Sequence, residues 1–386
     1  MKICLFTDTI GDLNGVSRFI QDMEEQSKQN NVELHVISST AKYCPKADNI
    51  HNFYPKFKIK MPFYNELDLT YPNSKLIKNK IKELKPDMIH ISSPGAVGYL
   101  GLKIAKKMKI PYSGTYHTDF PAYIKDNTGS NTLKKVTDKI MGKFYKDFEL
   151  LFSRSHEYVD ILHDDLNFSK EKVKIIKPGT NLKKFNSSHI DKEIWNKFDI
   201  PKDATIALYV GRITKEKNIP FLLDVWFEMI QENPKLRNTY LVLLGEGSIR
   251  SEAPKYHKYN VRFVGPVIGK ALSIMYASSD FFVFPSITDT LGQVIMESQA
   301  SGTPVLVSDI GGPQSLIFKE NPGGVVIKGN DKRAWKNAIK DMIQSPQMRK
   351  QMGENGIKSM SNLPIEESFT GFWDNQLKAY HKTTIN

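Results

Sequence analysis

Two carboxylates, Asp289 and Glu297, stand with seven residues between them in the stretch FVFPSITDTLGQVIMESQASGTPVLVSDIGG (282–312). An apolar strand runs into Pro285, a loop follows, and a helix is expected from near Leu291. Asp289 then precedes the helix and Glu297 lies about two turns in. Between them Gly292, Gln293 and Val294 occupy the first turn, where backbone N–H groups lack internal partners and the macrodipole favours an anion. A carboxylate ahead of such a site can accept hydrogen bonds from sugar hydroxyls. One deeper in the helix can take a ribose diol in bidentate fashion. Read singly, the two are an N-cap Asp and an ordinary acidic helix residue; the surrounding 31-residue pattern argues against that plainer reading.

Such groups need sheets whose strands end at a common edge. Short apolar runs alternate with longer helical patterns almost throughout, the mark of α/β sheets with crossover helices. In the first half 2–6, 33–38, 88–91, 112–115, 151–153 and 174–176 read as strands, with helices at 16–29, 75–84, 95–108 and 131–150. Pro86 breaks the chain before one strand and Pro111 opens the next. A second series begins after Pro201, with strands at 205–210, 240–244, 261–264, 281–284, 304–307 and 324–327. Its helices are predicted at 220–231, 270–277, 292–301 and 332–343. The predicted fold class is α/β: two Rossmann-like, doubly wound parallel-sheet domains facing a central cleft. Their bounds are placed at 1–180 and 204–364, with a polar, irregular linker at 181–203. Ligands in such sheets bind outside the carboxyl ends of the strands. His117, in TYHTD (115–119), follows an apolar strand at that edge. A lone histidine is usually structural; this placement favours contact with a ligand.

At 386 residues the chain exceeds one ordinary core, and 40% apolar with 25% charged residues is the composition of a folded protein. No window approaches the roughly 18 apolar residues of a membrane-spanning helix. The start, MKICLFTDTIGDLNG, turns polar at Thr7 and Asp8, too early for a signal-peptide core. Cys4 and Cys44 are too few for a disulfide framework or a zinc cluster. A cytoplasmic location is expected. The formal charge is +12, and residues 41–150 carry 20 Lys/Arg against 10 Asp/Glu. Such an excess points to an anionic partner. Its lysines adjoin apolar residues at helical spacing, as in SKLIKNKIKEL (74–84) and NTLKKVTDKIMGKFYKDF (131–148). Two readings stand level: a solvated helix face, or an interfacial face whose lysines meet anionic lipid head groups while Leu, Ile, Met and Phe dip inward.

The stretch 282–312 closely resembles the signature region of the family 4 retaining glycosyltransferases, enzymes of the two-domain GT-B fold. The resemblance extends to YVGRITKEKNIPFLLDVW (209–226), LVLLGEGSIR (241–250) and VRFVGPVIGKALSIMYASSD (261–280). In the first half KPDMIHISSPGAVGYLGLKIAKKMKIPYSGTYHTDF (85–120) and KVKIIKPGTNLKKF (172–185) also match. Roles follow by implication. Arg212 and Lys217 match the basic pair that grips a donor pyrophosphate, a fixed fork beside a mobile point charge. Each charge-assisted bond is worth about 1.5–3 kcal/mol. Glu297 matches the ribose-binding carboxylate. Asp289 matches the acidic residue near the donor sugar, where the family more often has Glu. Leu291, Gly292, Gln293 and Val294 match the segment whose backbone amides face the phosphates and sugar, and Gly211, Gly245 and Gly247 fall along the nucleotide pocket. GDLNGVSR (11–18) matches the glycine loop after the first strand, with Asn14-Gly15 where Gly-Gly is usual. Gly15 falls on the donor side and Arg18 on the acceptor side. His117 matches the family's cleft histidine, and Asp119 and Tyr123 are placed at the acceptor site. EESFTGFWDNQLKAY (366–380) resembles a C-terminal helix, predicted at 365–381, that packs back on the first domain through Phe369, Phe372, Trp373 and Leu377.

The resemblance implies front-face substitution with retention. A hexose leaves a UDP- or GDP-linked donor; Arg212, Lys217 and the helix start at Gly292 stabilise the departing diphosphate, and an acceptor hydroxyl attacks from the same side. The basic residues supply the countercharge, so no metal and no cofactor beyond the nucleotide sugar is expected. DTIGDLNGVSR, GTYHTDFPAY and TDTLGQVIMESQASG are similar to the bacterial glycolipid and mannosyltransferase branch. With the basic first half they favour a lipid or glycolipid acceptor and a peripheral place on the inner face of an anionic membrane. A soluble sugar or oligosaccharide acceptor is the alternative. A GT-B phosphorylase or epimerase would need its own signature, such as a pyridoxal phosphate lysine, and none is evident. A basic nucleic-acid-binding protein would need an aromatic platform or a helix-turn-helix, whereas the aromatics here fall in strand and helix cores. No nucleic acid partner is expected.

Overall fold

The computed structural model describes residues 1–386 except Leu13, Pro62, Phe63, Thr290, Ile385 and Asn386, with the side chains of 60–69, 126–127, 156–157 and 383–386 also outside the description. The chain divides into two compact units. The first comprises Met1–Asp12, Val16–Pro178 and Glu366–Asn386, the second Leu13–Gly15 and Gly179–Ile365.

The first unit runs β1 (Lys2–Thr7), α1 (Gly15–Gln29), β2 (Glu33–Ser38), β3 (Ile50–Asn52), β4 (Phe57–Met61), β5 (Tyr64–Tyr71), α2 (Ser74–Leu84), β6 (Met88–Ile91) and α3 (Ala96–Met108). It continues through β7 (Tyr112–Thr115), α4 (Phe120–Thr128), α5 (Asn131–Tyr145), β8 (Leu151–Ser153), α6 (His156–Asp164) and β9 (Val173–Ile175). Seven of these strands form a parallel sheet in the order β3-β2-β1-β6-β7-β8-β9, while β4 and β5 pair antiparallel as a separate hairpin. Its central strands are apolar on both faces, as a sheet covered by helices on both sides requires. Ile3, Leu5, Phe6, Met88, Ile89 and Ile91 are all fully buried. His90 is the polar exception in β6.

The second unit runs β10 (Thr205–Val210), α7 (Ile219–Glu232), β11 (Thr239–Leu244), α8 (Ala253–Tyr256), β12 (Val261–Gly265), α9 (Gly269–Ala277), β13 (Phe281–Phe284), α10 (Gln293–Ala300), β14 (Val305–Ser308), β15 (Gly324–Ile327), α11 (Lys332–Gln344) and α12 (Pro346–Met360). Its parallel sheet has the order β12-β11-β10-β13-β14-β15. The chain therefore winds outward one way from β10 and the other way from β13, and the strand order reverses between them. That reversal is where doubly wound sheets bind ligands. Trp226, Trp335, Tyr209 and Phe281 fill the core with no exposed surface, each large side chain contributing about 1.5–3 kcal/mol by burial. Local signals set the helix ends: Asp331 accepts from the Ala334 N–H at 3.0 Å to cap α11, and Pro220 sits in the first turn of α7.

The stretch expected as a linker, 181–203, lies within the second unit. Phe185, Trp195 and Ile200 are buried in its core, and the Trp195 indole N–H donates to the Ser278 carbonyl at 3.2 Å. The final helix, α13 (Ile365–Thr384), belongs from Glu366 onward to the first unit. Phe369 and Phe372 are its buried aromatics, and the buried Gln376 joins a polar network with His90. No helix among the described residues is long and apolar enough to cross a membrane.

Candidate active site

In the second unit the loops after β10 and β13, on either side of the order reversal, bring charges together. Lys217 Nζ donates to Asp289 Oδ2 at 2.9 Å and lies 3.5 Å from Glu216 Oε1. Arg212 donates to the same Glu216 oxygen at 2.6 Å. Two cations and two carboxylates thus form one partly buried cluster. At this degree of exposure each pair is worth only about 1 kcal/mol, so what the cluster mainly fixes is geometry. Burial alone would raise the Asp289 carboxyl. The Lys217 charge, the neighbouring Ser286 hydroxyl and Arg212 outweigh it and hold the group below the ordinary carboxylate range. The Tyr209 hydroxyl donates to the Arg212 carbonyl at 2.8 Å and pins that residue's backbone from inside the core.

Backbone closeness shapes the same edge. Gly211 follows β10 and Gly245 follows β11, and a Cβ on Gly245 would lie 1.9 Å from the Gly211 carbonyl oxygen. Only glycine permits these loops to abut. Gly311 has φ +82° and a Cβ there would come within 2.7 Å of the Asp289 carbonyl oxygen, which also accepts the Gly312 N–H at 2.8 Å. Helix α10 begins at Gln293 rather than near Leu291, because Gly292 takes φ +81° and stands outside the helix as its N-cap, without a side-chain cap bond. The side chains of Leu291 and Val294 pack on the core and Gln293 donates to the Gly179 carbonyl at 3.0 Å. Glu297, in the second turn, is 4% exposed and accepts from the Tyr276 hydroxyl at 3.0 Å.

In the first unit, His117 follows β7 and Arg154 follows β8. The His117 ring meets Phe19 of α1 at 5.5 Å, and the Arg154 guanidinium lies 4.9 Å from the centroid of the same Phe19 ring. Burial, then the Arg154 charge, then His90 hold the His117 imidazole well below its usual pKa, so it is neutral at neutral pH. Arg18 lies 3.5 Å from Asp22 one turn along α1, and Gly15 is the first residue of that helix. Asp119 is the N-cap of α4: its Oδ1 accepts from the Ala122 N–H at 3.1 Å and the Tyr116 hydroxyl at 3.3 Å. Burial outweighs those bonds and raises its pKa. Tyr123 lies in the first turn of α4, its N–H donating to the Asp119 carbonyl at 3.0 Å.

Glu216, Tyr276, Arg154, Asp22 and Gly311 escaped the reading of the sequence. Arg154 was within reach, since it follows an apolar strand as His117 does. Glu216 lies inside the motif that carries Arg212 and Lys217, but nothing in its spacing marks it as the bridge.

Both halves of the chain are similar to known proteins. Residues 191–359 match the family "Glycosyl transferases group 1" and residues 13–184 match "Glycosyltransferase Family 4". The chain is 27% identical to the sulfoquinovosyl transferase of Arabidopsis thaliana over 76% of its own length and 57% of that protein's. It is 27% identical to the alpha-monoglucosyldiacylglycerol synthase of Streptococcus pneumoniae over 79% of its length and 70% of that protein's. Among solved structures, Anabaena HepE in complex with UDP and glucose superposes with a TM-score of 0.75 at 15% identity, covering 98% of this chain and 99% of that one. The last likeness shows the fold alone.

Proposed function

Since this chain belongs to the family 4 glycosyltransferases, enzymes of the GT-B fold, we propose that it transfers a hexose from a UDP- or GDP-linked donor to a hydroxyl of a membrane lipid or glycolipid, with retention at the anomeric carbon. The observation that carries the reading is the Arg212–Glu216–Lys217–Asp289 cluster at the strand-order reversal of the second sheet. A lysine has three N–H donors and an arginine five, so each cation can serve a carboxylate and a phosphate oxygen together. Glu216 and Asp289 orient the pair; the phosphates of the donor take further donors, and the departing diphosphate is met by charge already in place. The backbone amides at Gly292–Val294 add to it. Glu297, held by Tyr276, receives the ribose diol, and Asp289 reaches a sugar hydroxyl. Gly211, Gly245 and Gly15 let the donor approach the backbone.

His117, being neutral, is suited to hydrogen-bond the transferred sugar rather than to act as a cationic acid. Arg18 and Tyr123 belong to the acceptor side. Asp119 contributes there by holding the start of α4. With two fixed cations as countercharge, the reaction needs no metal: transfer in EDTA is expected to stay within about twofold of the rate with added Mg2+, and this is read in one assay.

The lipid acceptor is supported by α5. Leu133, Val136 and Ile140 fall on one face at helical spacing and are 41%, 49% and 53% exposed, beside the exposed Lys135, Lys139 and Lys143. Such a face suits the boundary of an anionic bilayer. The name of the Streptococcus relative points the same way. The test supplies radiolabelled UDP-glucose and GDP-mannose with vesicles of diacylglycerol in anionic phospholipid, or with soluble monosaccharide phosphates, and reads the product anomer by proton NMR. Label in the lipid phase with the donor's own anomeric configuration is expected. Inverted product rejects retention, and label only in soluble product rejects the lipid acceptor.

A further inference from the structure

His117 keeps its ring orientation without a hydrogen bond at Nε2, which is buried and makes none among the described residues. On its aromatic side the ring is held by packing. The contact is with Phe19, 2% exposed, whose ring centroid is 5.5 Å from that of His117 at an interplanar angle of 61°. Phe19 in turn meets Phe372 of α13 edge to face, at 6.1 Å and 82°. Phe372 has no exposed surface and is wedged by two more edge-to-face neighbours, His90 at 5.1 Å and Phe152 at 5.9 Å. One helical turn on, Gln376 fastens the same stretch of α13. Its Nε2 donates to His90 Nδ1 at 2.7 Å and its Oε1 accepts from the Ser113 hydroxyl at 2.7 Å. With Nδ1 an acceptor, the His90 proton resides on Nε2, which donates to Thr115 Oγ1 at 2.9 Å. Ser113 and Thr115 lie on β7, the strand that leads directly to His117.

We propose that Phe372 is a positioning residue for His117, acting through Phe19, so that the C-terminal helix sets the orientation of that imidazole. The effect on turnover rests on the placement of His117 beside the sugar; the packing claim does not. An edge-to-face stack has a preferred geometry and interiors leave little slack. Replacing the Phe372 ring by a branched aliphatic side chain of similar size frees Phe19 to tilt, and the imidazole follows.

The test uses the full chain labelled with 13C at histidine Cε1, the His117 resonance being assigned by its loss in His117→Gln. In Phe372→Leu and in Phe19→Leu that resonance is expected to shift and broaden. In Phe369→Leu it stays in place, because Phe369 is equally buried on the same helix but stacks on Trp373 instead. Turnover with the donor that stabilises the chain is expected to fall about tenfold in Phe372→Leu with donor KM within about twofold, since a misplacement of order 1 Å can cost as much as about 100-fold. The Phe19→Leu/Phe372→Leu double variant should be no worse than the weaker single. An unmoved His117 resonance in Phe372→Leu overturns the proposal, as does an equal shift in Phe369→Leu. A shifted resonance with unchanged turnover supports the packing claim and overturns instead the placement of His117 at the reacting centre.

Discussion

Lys217 carries the most at the scale of single residues, because it holds Asp289 ionised and lies within ion-pair distance of both carboxylates. Replacing it by alanine is expected to lower kcat by about 10²–10³-fold, the loss typical of removing one preorganised donor from a developing anion. The same variant tests the electrostatics. The Asp289 pKa in the folded chain lies below the unfolded value of about 3.9. Its ionised form therefore stabilises the fold above about pH 4, and that contribution is lost as pH falls through the lower folded value. Without Lys217 the folded pKa rises, so acid unfolding followed by circular dichroism should begin at higher pH in Lys217→Ala than in the parent; an unchanged acid limb would contradict the pairing. At this scale the sequence carried much. Arg212, Lys217, Asp289 and Glu297 could be named because a long motif surrounds each of them. Glu216 and Tyr276 could not, since an acidic residue between two basic ones and a tyrosine in an apolar helix look ordinary until the fold sets them against Arg212 and Glu297.

At the scale of elements, the tie between α13 and the first sheet is polar at its centre. His90 is fully buried, and burial pushes its pKa down to about 3. The unfolded chain, with an imidazole near 6.5, binds that proton over the whole interval where the folded chain does not. Stability should therefore rise with pH between about 3 and 6.5, with a slope of up to about 1.4 kcal/mol per pH unit from this one group. Chemical denaturation of His90→Gln between pH 5 and pH 7 should show a flatter slope than the parent, with lower stability at neutral pH from the broken network. Gly311→Ala is the corresponding probe of the Asp289 loop. A φ of +82° with a Cβ at 2.7 Å from a backbone oxygen is expected to cost about 1–3 kcal/mol and to weaken donor binding, read as a lowered Tm and a raised donor KM. The parallel strands were legible as apolar runs between helical patterns. The β4–β5 hairpin was not, because Phe57–Tyr71 mixes lysines and acids with its apolar residues and belongs to neither sheet. Helix α12 was missed too, its pattern weakened by Gly353 and Gly356. The stretch 181–203 read as a linker because its buried residues, Phe185, Trp195 and Ile200, are spaced irregularly among polar ones.

For the whole molecule, charge is the property that organisation by units makes meaningful. Residues 41–150, net +10, all fall in the first unit, together with the exposed apolar face of α5. Co-sedimentation with vesicles should be strong for anionic phospholipid and weak for neutral lipid. It should fall as salt is raised and drop about tenfold in a Val136→Ser/Ile140→Ser variant that leaves Tm unchanged. The two-sheet architecture was readable from the alternation of strands and helices. The acceptor was not, since apolar residues beside lysines describe a solvated helix as well as an interfacial one.

The central claim, that the second unit holds a nucleotide sugar through Arg212, Lys217 and Glu297, is tested most directly by thermal stabilisation of the chain against a panel of UDP- and GDP-sugars. A donor present at 100 times its dissociation constant should add about 2.7 kcal/mol of stability. The account predicts a clear rise in Tm with one of the two nucleotide classes, abolished in Arg212→Ala and in Glu297→Ala. A chain whose Tm no donor moves, or one whose response survives both substitutions, would contradict it.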